Sequence, residues 1–181
     1  LRRTSLENYA GDSTQWKTVL DIDELATIES ANWVYKGRTC LPSNPSRCLI
    51  HLSDGGKDAV SIREFDLDLA NFIDGGFFVG EAKTNIDWVD ANTLLVGSDF
   101  GDGSLTTSGY ARTLRLWRRE TALENAEQII EVGAEDMSVG TFTVMGEDSD
   151  FSFIVRRPDF FTDETWLMTE QGIIAKLPLQ I

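Results

Sequence analysis

The sequence predicts an all-β fold, a partial β-propeller of about three to four four-stranded antiparallel blades, and three observations carry that reading. Apolar spacing of the helical kind is nearly absent, while short runs rich in Val, Ile, Leu, Thr and aromatics recur between clusters of Gly, Asp, Asn and Ser. These runs come in pairs that repeat: Leu49 to Ser53 with Ile62 to Asp66, Leu94 to Ser98 with Leu114 to Arg118, and Phe151 to Val155 with Thr165 to Thr169. An aromatic marks the second run of each pair, at Phe65, Trp117 and Trp166, and the markers stand about 50 residues apart, the length of a propeller blade. A β-sandwich with longer connections is the competing architecture for such strand content.

Taken in order, residues 1–32 read as a lead-in segment to the propeller, loosely tethered over the first dozen residues. It then carries a short helix within Leu20 to Ser30, where Asp21 or Asp23 can accept from the free N–H groups of the first turn. Residues 33–181 carry the incomplete ring. Strands are expected near Trp33 to Lys36, Arg47 to Ser53, Val60 to Asp66, Asn85 to Val89, Thr93 to Ser98 and Thr113 to Arg118. Others follow near Gln128 to Val132, Ser138 to Val144, Phe151 to Arg157, Thr165 to Thr169 and Ile173 to Leu177. A second short helix is expected within Ala122 to Gln128. Each unit runs on through Phe72-Ile73, Ile129-Ile130 or Ile173-Ile174, and the first two then reach inner-strand candidates at Ile86 to Val89 and Val139 to Phe142. Closed propellers use about four to eight blades, so this ring should be open, with apolar ends that favour self-association.

Thirty acidic residues stand against 16 basic ones, a net charge of −14 that repels phosphate backbones and anionic headgroups. Nucleic acid and membrane partners are therefore not expected, and the pairs Arg2-Arg3, Arg118-Arg119 and Arg156-Arg157 read as solvated strand ends. No run approaches the roughly 20 apolar residues needed to cross a bilayer. The chain reads as soluble, with the compartment left open between cytoplasm and periplasm. Cys40 and Cys48 flank a turn-rich Leu-Pro-Ser-Asn-Pro-Ser-Arg segment. That loop admits a disulfide, but two buried thiols are the favoured expectation, since an unpaired Cys packs as a small hydrophobe.

No catalytic, cofactor-binding or metal-ligating residue is assigned to this chain, and no cofactor is expected. A serine hydrolase needs a Gly-x-Ser-x-Gly elbow and a His base; the elbow is absent, and the single imidazole, His51, lies in the strand run Leu49-Ile50-His51-Leu52. Two Cys and one His at unrelated spacing fall short of a zinc site. The loop Asp99-Phe100-Gly101-Asp102-Gly103-Ser104 reads as a polar turn rather than a calcium loop, and its Asp-Phe-Gly stands without the other kinase elements. Asp66 with Asp68 and Glu147 with Asp148 are expected in solvated turns. Trp33, Trp88, Trp117 and Trp166 are expected in core packing, while Trp16, ahead of the first clear strand, is a candidate anchor to another domain.

Several stretches nevertheless carry a family resemblance. Trp16-Lys17-Thr18-Val19-Leu20-Asp21-Ile22-Asp23-Glu24-Leu25 followed by Asn32-Trp33-Val34-Tyr35-Lys36-Gly37 is similar to the start of the propeller in the prolyl oligopeptidase family of serine peptidases. Arg47 to Val60, with Ser53-Asp54-Gly55-Gly56 at its hairpin, and Arg63-Glu64-Phe65-Asp66 resemble that family's first full blade. Asp87-Trp88-Val89-Asp90, Leu94 to Gly101 and Ser108-Gly109-Tyr110-Ala111-Arg112 resemble the next, and the likeness covers about residues 1–145. The resemblance implies an α/β-hydrolase domain outside this chain that bears a Ser, Asp and His triad. It also implies a propeller that covers the active site and admits only short peptides, cleaved after proline. On that reading the chain is a non-catalytic, substrate-gating fragment whose partners are its own hydrolase domain and short peptides. The alternative is a stand-alone propeller-like protein-binding module. Closure by polar terminal repeats would favour the module, and the apolar finish at Leu179-Gln180-Ile181 favours the fragment.

Overall fold

The computed structural model describes residues 1–146, 150–169 and 174–178. Four short elements come first: β1 (Arg2–Arg3), α1 (Leu6–Ala10), β2 (Lys17–Thr18) and α2 (Ile22–Glu29). The first blade holds β3 (Trp33–Leu41), β4 (Asn44–Asp54), β5 (Val60–Asp66), β6 (Asn71–Phe72) and β7 (Phe78–Ala82). The second holds β8 (Asn85–Asp90), β9 (Thr93–Gly97), β10 (Thr113–Arg118) and β11 (Glu127–Glu131). The third holds β12 (Ser138–Met145), β13 (Asp150–Arg157), β14 (Glu164–Met168) and β15 (Ile174–Lys176). Every pairing is antiparallel between successive strands, except that β5 shares its outer edge between β6 and β7. First strands begin at Trp33, Asn85 and Ser138, a spacing of about 50 residues. Since β3, β8 and β12 touch across blade boundaries, the first strand of each sheet lies nearest the axis. The chain is an open arc of three blades preceded by a two-stranded piece.

The middle strands explain why the sequence shows solid apolar runs instead of clean alternation. Each sheet is covered on both faces, so both sets of side chains must be apolar. In β9, Leu94 and Val96 point at the first blade, where they join Leu49, Ile62, Phe77 and Val79 together with Trp88 and Trp117. Leu95 points the other way, to a cluster with Leu114, Val132, Val139 and Ile154 between the second and third blades. On β4 the set Cys48, Ile50 and Leu52 turns away from the second blade and is covered by Val19 and Leu20, with Leu1, Ile22 and Leu25 of the first segment at the margin. Cys48, Leu49, Ile50, Leu52, Trp88, Leu94, Leu95 and Val96 have no exposed surface. At about 2 kcal/mol for each such side chain, these interfaces supply the bulk of the cohesion.

Strand boundaries depart from expectation where pairing overrides local signals. β3 runs to Leu41 and turns at Pro42-Ser43 into β4, so Cys40 and Cys48 become direct cross-strand partners with Cα atoms 3.9 Å apart, joined as a disulfide. The expectation of two free thiols is thereby corrected: a long hairpin, rather than a loose loop, sets their separation. The helix expected within Ala122 to Gln128 shrinks to a 3-10 turn at Leu123–Asn125, because Glu127 and Gln128 are taken into β11 opposite Leu116 and Arg115. The inner-strand candidates Ile86 to Val89 and Val139 to Phe142 do form strands, but each opens the following blade instead of closing the preceding one. The helix capped by Asp21 is present as α2, the carboxylate accepting from the N–H groups of Asp23 and Glu24. Ile173, Glu147-Asp148 and Leu179-Gln180-Ile181 lie outside the described residues.

The first segment is less loose than its composition suggests. Arg2-Arg3 pairs with Lys17-Thr18 across the helical turn Leu6-Glu7-Asn8. The same order of Arg-Arg, a helical turn over Leu-Glu-Asn, and a returning strand recurs at Arg118-Arg119, Leu123-Glu124-Asn125 and β11. The lead-in is thus built like the outer half of a blade. α2 then lies against the first blade, held by Glu29, which accepts from both Arg63 Nη atoms at 2.6 and 2.8 Å and from the Trp33 indole at 2.7 Å.

Candidate functional site at the blade junctions

Glu64 on β5 joins the first two blades. Its carboxylate is fully buried and takes four hydrogen bonds from three residues: Arg119 through both Nη atoms at 2.9 and 3.0 Å, Arg47 Nε at 2.6 Å, and the Phe77 N–H at 2.8 Å. Arg119, just past β10, also stacks over the Phe77 ring at 4.3 Å and donates to Ala91 O at 2.8 Å. Burial alone would push the Glu64 carboxyl up; the bonds from Arg119, Phe77 and Arg47 outweigh it and hold the group below the ordinary glutamate range. Gly76 makes room for this arrangement: a Cβ there would stand 2.9 Å from Glu64 Oε2 and from Ile73 O, so the chain can bend around the carboxylate only with glycine. That bend splits the outer edge of the blade into β6 and β7.

Nearer the axis, β8 and β12 are joined by side chains instead of a backbone ladder. Asn85 Oδ1 accepts from the Thr141 N–H, and Asp87 Oδ2 accepts from the Thr143 N–H at 2.8 Å. Thr143 Oγ1 returns a bond to Trp88 O at 2.8 Å, and the Trp88 indole donates to Thr39 O of β3 at 3.0 Å. Burial raises the Asp87 carboxyl despite its bonds from the Trp88 and Thr143 N–H groups.

One face of the arc carries a cavity of about 520 Å³. In every blade this face holds the start of the first strand and the connection between the second and third, so loops of all three blades converge there. Its wall runs from Asp58 in the first blade, past Lys83, Asn85 and Tyr110, to Arg157 and Phe160 in the third. Lys83 Nζ sits 4.4 Å over the Tyr110 ring, and Arg157 Nε meets Asp163 at 3.2 Å. Phe160 and Phe161, adjacent aromatics on this loop, are 83% and 97% exposed.

The residues weighed from sequence fall mostly outside this cavity. His51 is half-buried on β4, where its Nε2 meets Thr39 Oγ1 at 3.1 Å; burial lowers its pKa and favours the neutral ring. Asp99 closes its own loop by accepting from Gly101 N–H at 2.9 Å, and no group of three or more metal-ligating side chains is found among the described residues. Asp66 accepts from the N–H groups of Asp68 and Leu69, as a turn residue should, and Asp68 pairs with Arg3 at 2.6 Å. Trp88 and Trp117 lie in the core, Trp166 at its edge, and Trp16 is half-exposed against Tyr9. The reading of the arginine pairs as solvated ends fails for Arg119 and for Arg156, which clamps Asp136 at 2.8 and 3.0 Å and Glu164 at 3.1 Å. Sequence reasoning missed Glu64, Asn85, Lys83 and Arg157 as junction residues. The recurrence of Arg-Arg before Leu-Glu-Asn was the legible signal for Arg119.

The description "Prolyl oligopeptidase, N-terminal beta-propeller domain" matches residues 1–170. The chain belongs to the prolyl oligopeptidase family. It is 38% identical over 167 residues to the uncharacterized peptidase y4nA of Sinorhizobium fredii (strain NBRC 101917 / NGR234), covering 90% of this chain and 23% of that protein. It is 30% identical over 186 residues to the uncharacterized peptidase RP174 of Rickettsia prowazekii (strain Madrid E), covering 97% and 26%. The chain thus spans about a quarter of the length of these curated relatives. Among solved structures, a post-proline cleaving enzyme from Rickettsia typhi superposes with a TM-score of 0.91 at 27% identity, over 98% of this chain and 28% of that one. Oligopeptidase B from Leishmania major shares the fold, with a TM-score of 0.69 at 12% identity over 97% of this chain and 24% of that one. The arc is part of the propeller domain of a prolyl oligopeptidase-family peptidase, and no helix among the described residues is long and apolar enough to cross a membrane.

Proposed function

We propose that this chain is part of a propeller that screens substrates for a serine peptidase acting on short peptides after proline, the Ser, Asp and His triad lying outside these residues. The observation that carries the reading is the close superposition of nearly the whole chain on the post-proline cleaving enzyme of Rickettsia typhi. In this role residues 1–32 lead into the propeller and residues 33–181 form its first blades. Rigid blades set an aperture and a loop face; a short flexible peptide passes to the reacting centre, a folded protein does not, and bulk water is kept away.

The test is made on the full-length protein with proline-containing peptides of increasing length. Cleavage should fall after proline, decline as substrates lengthen and vanish for folded proteins, and a serine-directed phosphonylating reagent should label a residue outside this chain. Cleavage of folded proteins at rates matching short peptides would end the gating reading. A second reading, a binding module that stands alone or self-associates, draws on the apolar outer face of the third blade, where Phe142, Val144 and Phe151 are each more than 40% exposed. The reading frame beyond Ile181 separates the two: further blades and a Gly-x-Ser-x-Gly elbow support the peptidase, and their absence supports the module.

A further inference from the structure

We infer that the Cys40–Cys48 bridge is a reversible redox site: a dithiol opens it at the Cys40 sulfur, the end of the β3–β4 hairpin loosens, and the blades stay folded. This chemistry is independent of the gating reading.

The strand end beside the bridge is held from one side. β3 is the end strand of its sheet, with β4 as its one ladder partner among the described strands. The register slips between Cys40 and Leu41, so past the bridge the pairing comes down to Leu41 with Asn44 at the turn. β4 is held twice: Cys48 also pairs with Phe65 on β5, and Ser46 donates to Asp68 at 2.6 Å and accepts from the Leu67 N–H at 2.7 Å. Opening the bridge therefore loosens β3 near Cys40 and leaves β4 in place. The Trp88 indole, which donates to Thr39 O at 3.0 Å, and the buried Leu41 keep the strand end attached to the second blade.

The two sulfurs differ in access. Both cysteines lie on the side of the sheet turned to the first segment, but Cys40 is part-exposed, whereas Cys48 has no exposed surface and lies among Ile50, Leu52, Val19 and Leu20. A thiolate arriving from solvent meets Cys40 first. It bonds to Cys40 Sγ, the bond between the two Sγ atoms breaks, and Cys48 leaves with the electron pair and takes up the proton that the attacking thiol gave up. The second thiol of the reductant then attacks its partner sulfur in the mixed disulfide and releases Cys40 as a thiol. Two electrons and two protons pass to the protein, and the reductant becomes a disulfide. The Pro45 carbonyl oxygen stands 3.4 Å from Cys48 Sγ, placed to accept from the new S–H, so the opened state has a partner ready in an otherwise apolar site.

Closing is equally accessible. The ring spans only 8 positions, so the bridge removes less freedom from the unfolded chain than one that closes a long loop, and the fold does not hang on it. Pairing from Trp33 to Thr39 keeps the two sulfurs facing each other after reduction, which favours rapid closure.

The experiment is run on this chain without denaturant. Dithiothreitol at about 1 mM should open the bridge within minutes, and limiting iodoacetamide should then label Cys40 about tenfold faster than Cys48. Amide exchange at Cys40, Leu41 and Asn44 should quicken about tenfold on opening while that of Leu94 to Val96 is unchanged, and excess oxidised glutathione should restore the slow exchange. A bridge that opens only at the rate of global unfolding, a reduction that quickens exchange in all three blades together, or labelling of Cys48 ahead of Cys40 overturns the proposal, and none of these needs a variant to fold. Cys40→Ala with Cys48→Ala should show the fast exchange with or without reductant. Slow exchange in that variant would mean that the bridge does not hold the strand end, and the proposal falls.

Discussion

Replacing Glu64 by Ala should destabilise the chain more than any single change on its surface. The substitution removes the carboxylate and leaves Arg119, Arg47 and the Phe77 N–H facing one another around a small void. Breaking one side of a buried pair costs about 3–5 kcal/mol. The Arg119 and Arg47 side chains keep 17% and 30% of their surface, so both can rehydrate in part, and the lower end, about 3 kcal/mol, applies. For a chain of this size that lowers Tm by about 6–12 °C. Thermal unfolding followed by near-ultraviolet circular dichroism measures it directly, because Phe77, Trp88 and Trp117 sit together at this junction. The pH dependence supplies a second check. Glu64 titrates below its unfolded value, so its contribution is complete above the ordinary glutamate pKa of about 4.3 and is lost as pH falls through the folded value. The stability gap between the parent and Glu64→Gln should accordingly be constant near neutrality and shrink below about pH 4. A loss under about 1 kcal/mol for Glu64→Ala, or a gap that widens in acid, refutes the account of this junction.

Two further outcomes follow from the same geometry. Thiol titration of the unfolded, unreduced chain should find no free Cys, and Cys40→Ser with Cys48→Ser should cost about 2–3 kcal/mol, the loop-closure value for so short a ring. Reactive thiols in the unreduced chain would contradict the pairing. Asp87 behaves in the opposite sense to Glu64: its folded pKa is raised, so its contribution is best below the unfolded pKa and declines as pH rises through the folded value. Asp87→Asn keeps an acceptor for Thr143 and removes a half-buried charge, so at pH 7 its urea midpoint should equal or exceed that of the parent. Asp87→Leu, which leaves the Thr143 N–H unpaired, should lose about 1–3 kcal/mol. A clear drop for Asp87→Asn would mean that the charge itself is needed.

The blades were legible in sequence because both faces of each middle strand must be apolar, and Leu49-Ile50 and Leu94-Leu95-Val96 announce this without any partner in view. What pairing decides was not legible. β8 and β12 look alike whether they end one blade or begin the next, since the choice lies in hydrogen bonds to strands far along the chain. The bridge between Cys40 and Cys48 depended on how far β3 extends, which no local propensity fixes. Glu64 is one acid among 30, and only the fold brings Arg47 and Arg119 to it from 17 and 55 positions away. The cavity gave no signal at all, for Asp58, Lys83, Tyr110 and Arg157 share neither motif nor period and line one cavity only because the connections and strand ends that carry them lie on one face.

The joints also bear on how a gate built from this arc would work. The blades are tied at two radii, near the axis by Asn85 and Asp87 reaching the N–H groups of β12, and farther out by Glu64 with Arg119 across the first junction. Apolar layers with fully buried side chains fill the space between. Rotating the first blade against the second would break the Glu64–Arg119 pair and the Trp88–Thr39 bond, rotating the second against the third would break those of Asn85 and Asp87, and either would open the apolar layer, costing several times about 3 kcal/mol. Such motion is far dearer than the few kcal/mol that separate functional substates. On the gating reading the expected outcome is that the described strands of the three blades turn together, and that any widening of an aperture is taken up outside them. Cross-linking within this arc should leave turnover unchanged, whereas cross-links that tie its ends to the neighbouring parts should slow it.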